Sequence, residues 1–375
     1  MAKIHFVQFG KKQIKMFNYL KFLIKFIIPE KLRKRIVCVK NKLKGKFIEK
    51  KKFNCNLFKN SPIIYVLCPD NNIPIGGIKY LYKHVDVLNR NNFSAVILHS
   101  NFGFRCDWFD NNTKVAYRSE IKLESKDFLV IPEVYGPGLA GIEKGTKKVI
   151  LNQNAHYTFN GYSLERHDLI TAYLNKDIVG VFCISEHIYN YFKYIFPELN
   201  IFRAHLGIDN KLFRHNSNKE KRIAFMPRKL PQDALQVINI LKFRGVLNNF
   251  ELEAIDKVSE AKVADILGKS LFFLSFCDRE GCGLPPLEAM SSGCVVIGYH
   301  GIGGKEYFNE DFCYPIESTD VLTFAKTIEK VTQEYSNNPD FVLTKGKKAA
   351  EYVNKVYSLE RESEDIVRFW KQLIL

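Results

Sequence analysis

No run in this sequence is apolar for long enough to cross a bilayer. The nearest approach, Met16–Ile28, is broken by Lys21 and Lys25. It also falls short of the roughly 20 residues that a spanning helix needs. No signal-peptide pattern is evident at the start, so the expected location is cytoplasmic. No CxxC pair occurs among the nine cysteines, which are Cys38, Cys55, Cys68, Cys106, Cys183, Cys277, Cys282, Cys294 and Cys313. They are odd in number, and most sit in apolar runs such as Val181-Phe182-Cys183 or Gly293-Cys294-Val295. They read as buried thiols in a reducing compartment, which argues against a disulfide framework and against a zinc site. Asp107 and Asp110 lack the spacing of a DxD metal site, so no metal is expected, and no G-x-S-x-G nucleophile is present. Tryptophan is scarce, at 2 residues against 30 Phe and 18 Tyr. With the many Lys and Asn, that bias reads as base composition and carries no function.

Acidic residues are nearly missing from one place. Residues 1–59 hold 18 Lys and Arg against 2 Asp and Glu, while the remainder balances at 38 of each. The net charge of +16 therefore belongs to this segment alone. Within it, Lys15, Asn18, Lys21 and Lys25 form a narrow polar stripe at helical spacing. Phe17, Tyr19, Leu20, Phe22, Leu23, Phe26 and Ile27 cover the rest, and a basic flank runs from Lys31 to Lys46. This is the pattern of a helix lying on an anionic bilayer, where each basic residue near the surface adds about 1 kcal/mol. A helix packed on the protein body with a solvated basic tail is the alternative. Nucleic acid is not an expected partner, because no aromatic-interleaved or base-reading module follows.

From Ser61 onward, short apolar runs alternate with helical periodicity. Strands are expected at Ile63–Leu67, Ala95–Leu98, Phe128–Ile131, Val149–Leu151 and Ile178–Ile184. Helices are expected at Ile78–Asn89 and about Ser185–Ile195. The polar stretch Leu206–Lys221 reads as an interdomain linker. A second set follows, with strands at Ile223–Met226, Leu252–Ile255, Leu271–Ser275 and Val295–Gly298. Its helices fall near Gln232–Phe243, Ser259–Leu267 and Pro285–Ser292, with a last amphipathic one near Glu360–Ile374. Such alternation implies parallel sheets covered on both faces. The expected fold is α/β, two Rossmann-like doubly wound domains after a basic extension, with a ligand in the crevice at the strand C-termini. The divisions are 1–59, 60–205, 206–355 and 356–375.

The stretch from Phe273 to Met290 reads strand, glycine loop, helix. Loop N–H groups and a helix N-terminus favour a pyrophosphate. Pro285 and Pro286 suit a helix start, where a missing N–H matters least. Glu280 and Glu288 stand eight residues apart, and a carboxylate is well suited to grip paired sugar hydroxyls. With the intervening Gly-Cys-Gly-Leu-Pro-Pro-Leu, they resemble the E-x7-E motif of group 1 (family 4) glycosyltransferases, which have the GT-B fold. Gly293-Cys294-Val295-Val296 fits the same pattern. Gly76-Gly77, Ser185 and Gly207-Ile208-Asp209 with Phe213 are weaker echoes. The resemblance covers about residues 63–370 and leaves 1–59 aside.

The resemblance implies roles for these residues. Glu280 would contact donor sugar hydroxyls and Glu288 the nucleotide ribose. Backbone amides around Gly281, Cys282, Gly283 and Leu284 would hold sugar or phosphate, and Gly76 and Gly77 would let backbone approach the pyrophosphate or acceptor. His156 would lie near the reacting sugar. Arg228 and Lys229 would stabilise the departing diphosphate, although the family usually spaces its Arg and Lys further apart. Lys242 is a substitute candidate, and Gly301–Glu306 is a further loop candidate. The first domain would bind acceptor, the second the nucleotide sugar, and the last helix would return to the first domain. The expected reaction is a retaining, metal-free glycosyl transfer without cofactor, onto a glycan or lipid-linked acceptor. Its expected setting is cell-surface polysaccharide synthesis at the inner face of the membrane. A nucleotide-sugar epimerase or phosphorylase, and a non-catalytic carbohydrate- or membrane-binding protein, are the rivals. A chain lacking residues 1–52 is expected to stay folded and lose sedimentation with anionic liposomes. Retained sedimentation would refute the membrane reading.

Overall fold

Apolar runs without alternation form strands buried on both faces, as parallel sheets require. In a computed structural model of the chain, which describes residues 61–164 and 172–374, seven such strands make the first sheet. They are β1 (Ile63–Leu67), β2 (Ser94–His99), β3 (Val115–Tyr117), β4 (Phe128–Pro132), β5 (Lys147–Asn152), β6 (Ile178–Cys183) and β7 (Ile201–Arg203). Their order is β3-β2-β1-β4-β5-β6-β7, all parallel. Five more form a second parallel sheet: β8 (Glu220–Phe225), β9 (Glu251–Ala254), β10 (Ser270–Glu280), β11 (Val295–Ile302) and β12 (Cys313–Ile316). Their order is β12-β11-β10-β8-β9. Both are doubly wound orders, as the alternation implied. Each reverses direction at one switch point, between β1 and β4 and between β8 and β10.

The helices are α1 (Gly76–Arg90), α2 (Glu186–Ile195), α3 (Pro231–Phe243), α4 (Glu260–Lys269), α5 (Leu284–Ser291), α6 (Val321–Asn337), α7 (Pro339–Val356) and α8 (Leu359–Ile374). Among the described residues none is long and apolar enough to cross a membrane. The 1–59 extension and its basic helix lie outside the described residues.

Three strands escape the sequence reading: β3, β7 and β12 are three or four residues long at sheet edges. Such short runs carry no period. β10 also runs longer than read, because it continues past Ser275 to Glu280. Glu280 is therefore the last residue of a strand, and the loop before α5 shrinks to Gly281–Gly283. The polar linker is packed rather than free. Phe213 is 3% exposed, Ser291 Oγ donates to its carbonyl at 2.7 Å, and Lys219 Nζ donates to the carbonyls of Leu267, Gly268 and Ser292. All seven described cysteines are buried free thiols.

The last helix lies against the first half. Trp370, fully buried, donates its indole N–H to His84 Nε2 on α1 at 3.0 Å. Its ring meets Phe128 edge-on. Lys83 on α1 pairs with the buried Glu362 on α8 at 2.6 Å. An indole N–H needs an acceptor when buried, and a neutral imidazole supplies one. Burial lowers the His84 pKa to about 3. That depression stabilises the fold above the ordinary histidine value near 6.5. The contribution is lost as pH falls from there toward 3, because only the unfolded chain takes up the proton. His84→Gln, whose side-chain carbonyl can still accept from Trp370, is expected to flatten part of the acid limb of a urea-denaturation profile measured between pH 7 and 4. An unchanged slope would place the acid sensitivity elsewhere.

Candidate active site between the two sheets

Three helices point uncapped N-termini at the space between the sheets. α1 begins after Ile75, α3 after Leu230 and α5 after Gly283, and none receives a side-chain cap. Elsewhere Ser185, Ser259, Asp320 and Asn338 cap α2, α4, α6 and α7. Uncapped N–H groups keep their positive partial charge for an anion. In α5, Pro285 and Pro286 carry no N–H. The available donors are thus the amides of the Gly281–Leu284 segment.

That segment is held tightly. Gly283 has φ 84°, a conformation that favours glycine. The buried Tyr307 donates its hydroxyl toward the carbonyls of Cys282 and Gly283, at 2.7 and 2.8 Å. The thiol of Cys282 is buried and pushed well above its ordinary value. Gly281 touches the first half directly: a Cβ there would stand 1.7 Å from the Gln153 carbonyl oxygen. Beside it Asn154 Nδ2 donates to the Arg279 carbonyl at 2.7 Å. Across the same gap, Gln153 Nε2 donates to the Gly77 carbonyl at 3.3 Å. A Cβ on Gly76 would lie 3.8 Å from Leu284 Cδ1. The structure therefore brings Gly76, Gly77 and the 281–284 loop to one place.

The charged candidates divide. Lys229, from the loop after β8, pairs with Glu280 at the end of β10 at 2.7 Å. The pair straddles the switch point of the second sheet. Adjacent Arg228 is exposed and makes no ion pair among the described residues. Lys242 is in the last turn of α3, at the end away from this loop. Glu288 does not join Glu280. It is half-buried on α5, and burial with the nearby Glu260 carboxylate raises its pKa to about 7 against the opposing Lys79. Lys79 on α1 and Glu260 on α4 pair at 2.7 Å and link the two halves. His156 is exposed in the short turn after β5, where Asn154 Oδ1 accepts its backbone N–H at 3.0 Å.

Gly301–Glu306 is not a free loop. It closes β11 and turns onto Gly281, whose carbonyl would lie 2.1 Å from a Cβ on Gly303. Glu306 Oε1 accepts from Arg203 at 3.0 Å and from the Tyr357 hydroxyl at 2.7 Å. Asp107 Oδ1 accepts from Asn72 Nδ2. Sequence reasoning missed Gln153, Asn154 and Glu133. Glu133 follows β4 at the first sheet's switch point and is 2% exposed. Burial lifts its pKa to about 7, opposed by the backbone N–H groups of Glu133 itself, Gln153 and Asn154. A carboxylate directly after an apolar strand was the available signal.

Two doubly wound parallel sheets packed in one chain are the GT-B fold. Residues 241–363 match the model of the family described as glycosyl transferases group 1, a span that contains Glu280 and Glu288. Over that span the chain is similar to group 1 glycosyltransferases. It is 25% identical over 239 residues to an alpha-1,6-glucosyltransferase of Actinobacillus pleuropneumoniae serotype 7 (strain AP76), covering 60% of this chain and 68% of that protein. Its fold is similar to sucrose-phosphate synthase from Thermosynechococcus elongatus, with a TM-score of 0.62 at 12% identity, covering 83% of this chain and 99% of that one. It is also similar to Anabaena HepE in complex with UDP and glucose, with a TM-score of 0.56 at 10% identity, covering 83% and 100%.

Gly281→Ala tests the contact between the halves. The added methyl forces the 281–284 loop away from Gln153, and a misplacement of about 1 Å costs roughly 100-fold in rate. We expect glycosyl transfer to fall by about that factor while circular dichroism stays native. Full activity would mean that the closed arrangement is not the reacting one.

Proposed function

We propose that the enzyme transfers a sugar from a nucleotide-sugar donor to a glycan or lipid-linked acceptor, with retention of anomeric configuration and without a metal. The observation that carries the donor side is the Lys229–Glu280 pair at the switch point beside an uncapped glycine loop. The donor diphosphate would take the amides of Gly281, Cys282, Gly283 and Leu284, with Gly76 and Gly77 allowing close approach. Lys229 would move from Glu280 to the phosphates, freeing the Glu280 carboxylate for donor hydroxyls. Arg228, exposed beside it, would add a second cation. Glu288 would accept from the ribose hydroxyls. The UDP and glucose found with the Anabaena protein of the same fold support this class of donor.

In the proposed step the bond from the anomeric carbon to the diphosphate oxygen breaks, and its electron pair leaves with the diphosphate. The acceptor hydroxyl oxygen bonds to that carbon on the same face, and its proton passes to the departing phosphate oxygen. Lys229, Arg228 and the loop amides stabilise the charge that develops, a term that can reach 10²–10³ in rate for a single donor. His156 would stand by the reacting sugar. Residues 1–59 would hold the enzyme at an anionic cytoplasmic membrane face, in synthesis of a surface polysaccharide.

The test is a thermal-shift and turnover screen with UDP-, GDP-, dTDP- and CMP-sugars and the free nucleotides. A ligand at 100 times its dissociation constant stabilises by about 2.7 kcal/mol. One nucleotide class is expected to raise the melting temperature of the wild type and not of Glu288→Ala. No shift with any nucleotide would overturn the donor reading.

A further inference from the structure

Beside His156 the two halves line a half-open cavity of about 260 Å³. Ala155, His156 and Phe159 line it from the segment after β5, His187 and Tyr191 from α2, and Ile302 from the second half. Among the six there is no carboxylate, lysine or arginine. A phosphate or carboxylate placed here would find no lysine or arginine among these six to pair with. Four aromatic or imidazole walls, from His156, Phe159, His187 and Tyr191, come from the first half. Phe159 is 39% exposed, and the His187 and Tyr191 rings lie 6.4 Å apart one helical turn from each other. The volume falls just below the roughly 300–1,000 Å³ of drug-sized pockets, which suits one sugar ring.

A second observation singles out the same place. Ile302 has φ 69°, an outlier for a β-branched residue. Such strain persists only where the surroundings impose it, and it clusters at ligand sites. Here it sets the Ile302 side chain as the second half's wall of the cavity. Glycine would adopt that backbone without strain and would leave the wall open.

We propose that this cavity is the acceptor subsite and that it takes an uncharged pyranose ring. The carbon-bound face of the ring would lie on Phe159 and Tyr191, and its hydroxyls would exchange hydrogen bonds with the His156 and His187 nitrogens. The cavity borders His156, which the proposed function sets by the reacting sugar, so a hydroxyl projecting from the ring would reach the reacting carbon. This assignment rests on the transferase reading above and adds the chemistry of the acceptor unit. Selectivity for neutral over acidic sugars follows from the missing cation.

The experiment is saturation-transfer NMR on the full chain. The probes are the methyl glycosides of glucose, galactose and N-acetylglucosamine, with methyl glucuronoside as the acidic control. At least one neutral glycoside is expected to give a signal with wild type, and the glucuronoside none. Tyr191→Leu and Phe159→Leu keep apolar volume and remove the aromatic faces, and each is expected to cut the signal at least fivefold. His187→Ala serves as a third variant at a half-buried position. The nucleotide-induced melting shift is expected to stay equal in all four proteins, which shows that the variants are folded and that the donor site is separate. Signals unchanged in the variants, a stronger signal from the glucuronoside, or no signal from any neutral glycoside would each overturn the assignment. A missing nucleotide shift in wild type would instead overturn the donor reading, and the glycoside signals would be read independently of it.

Discussion

Gly281 lies against the Gln153 carbonyl with no side chain between them. Everything else at the cleft is arranged around that contact. Backbone meets backbone only where one partner has no Cβ, so the 281–284 loop can sit under the first half and against Gly76 and Gly77. Tyr307 then ties the loop from below, and the Gly303 turn closes over Gly281. A larger residue at 281 would part the sheets where their switch points meet. The Lys79–Glu260 pair and the Glu306–Arg203–Tyr357 cluster join the halves on other sides. The first of these is an exposed ion pair, which contributes little. Shape sets the approach of the two halves more than charge does.

Charge at the cleft is arranged differently from charge elsewhere in the fold. Three helix N-termini at the cleft are left without side-chain caps, while neighbouring helices are capped. Lys229 and Glu280 neutralise each other, so a cation and a carboxylate stand together without an uncompensated charge. Glu133 and Glu288 follow another route, because burial raises each toward 7. A carboxyl near neutrality can accept or donate a hydrogen bond at little cost, which suits contact with hydroxyls or with backbone N–H groups.

Much of this was legible in the residues. Ile63–Leu67 and Ile178–Cys183 are continuous apolar runs, and continuous runs have one stable use in an α/β chain, as strands buried on both faces. Ser185 and Ser259 stand at the helix starts read there, and each caps its helix through a hydroxyl that acts within three residues. Glu280, the glycines and Glu288 stood at a spacing specific enough to resemble a known family. β3, β7 and β12 were not legible, because three- or four-residue edge strands gain their order from the strand beside them. Lys219 looked like linker and is an anchor, since its carbonyl partners come from residues 267, 268 and 292.

By itself the sequence determined two doubly wound halves, a basic first segment and a glycine loop flanked by two acids. Each follows from properties local to the chain: period, charge and spacing. Only the tertiary structure decided that Glu280 pairs with Lys229 while Glu288 faces Glu260 and Lys79. It alone set Gln153 and Asn154 against the glycine loop, and gathered His156, His187, Tyr191 and Ile302 around one cavity. The physical reason is reach. Residues distant along the chain meet only when each sheet forms and the two sheets close on each other, and no local pattern along the chain records that meeting.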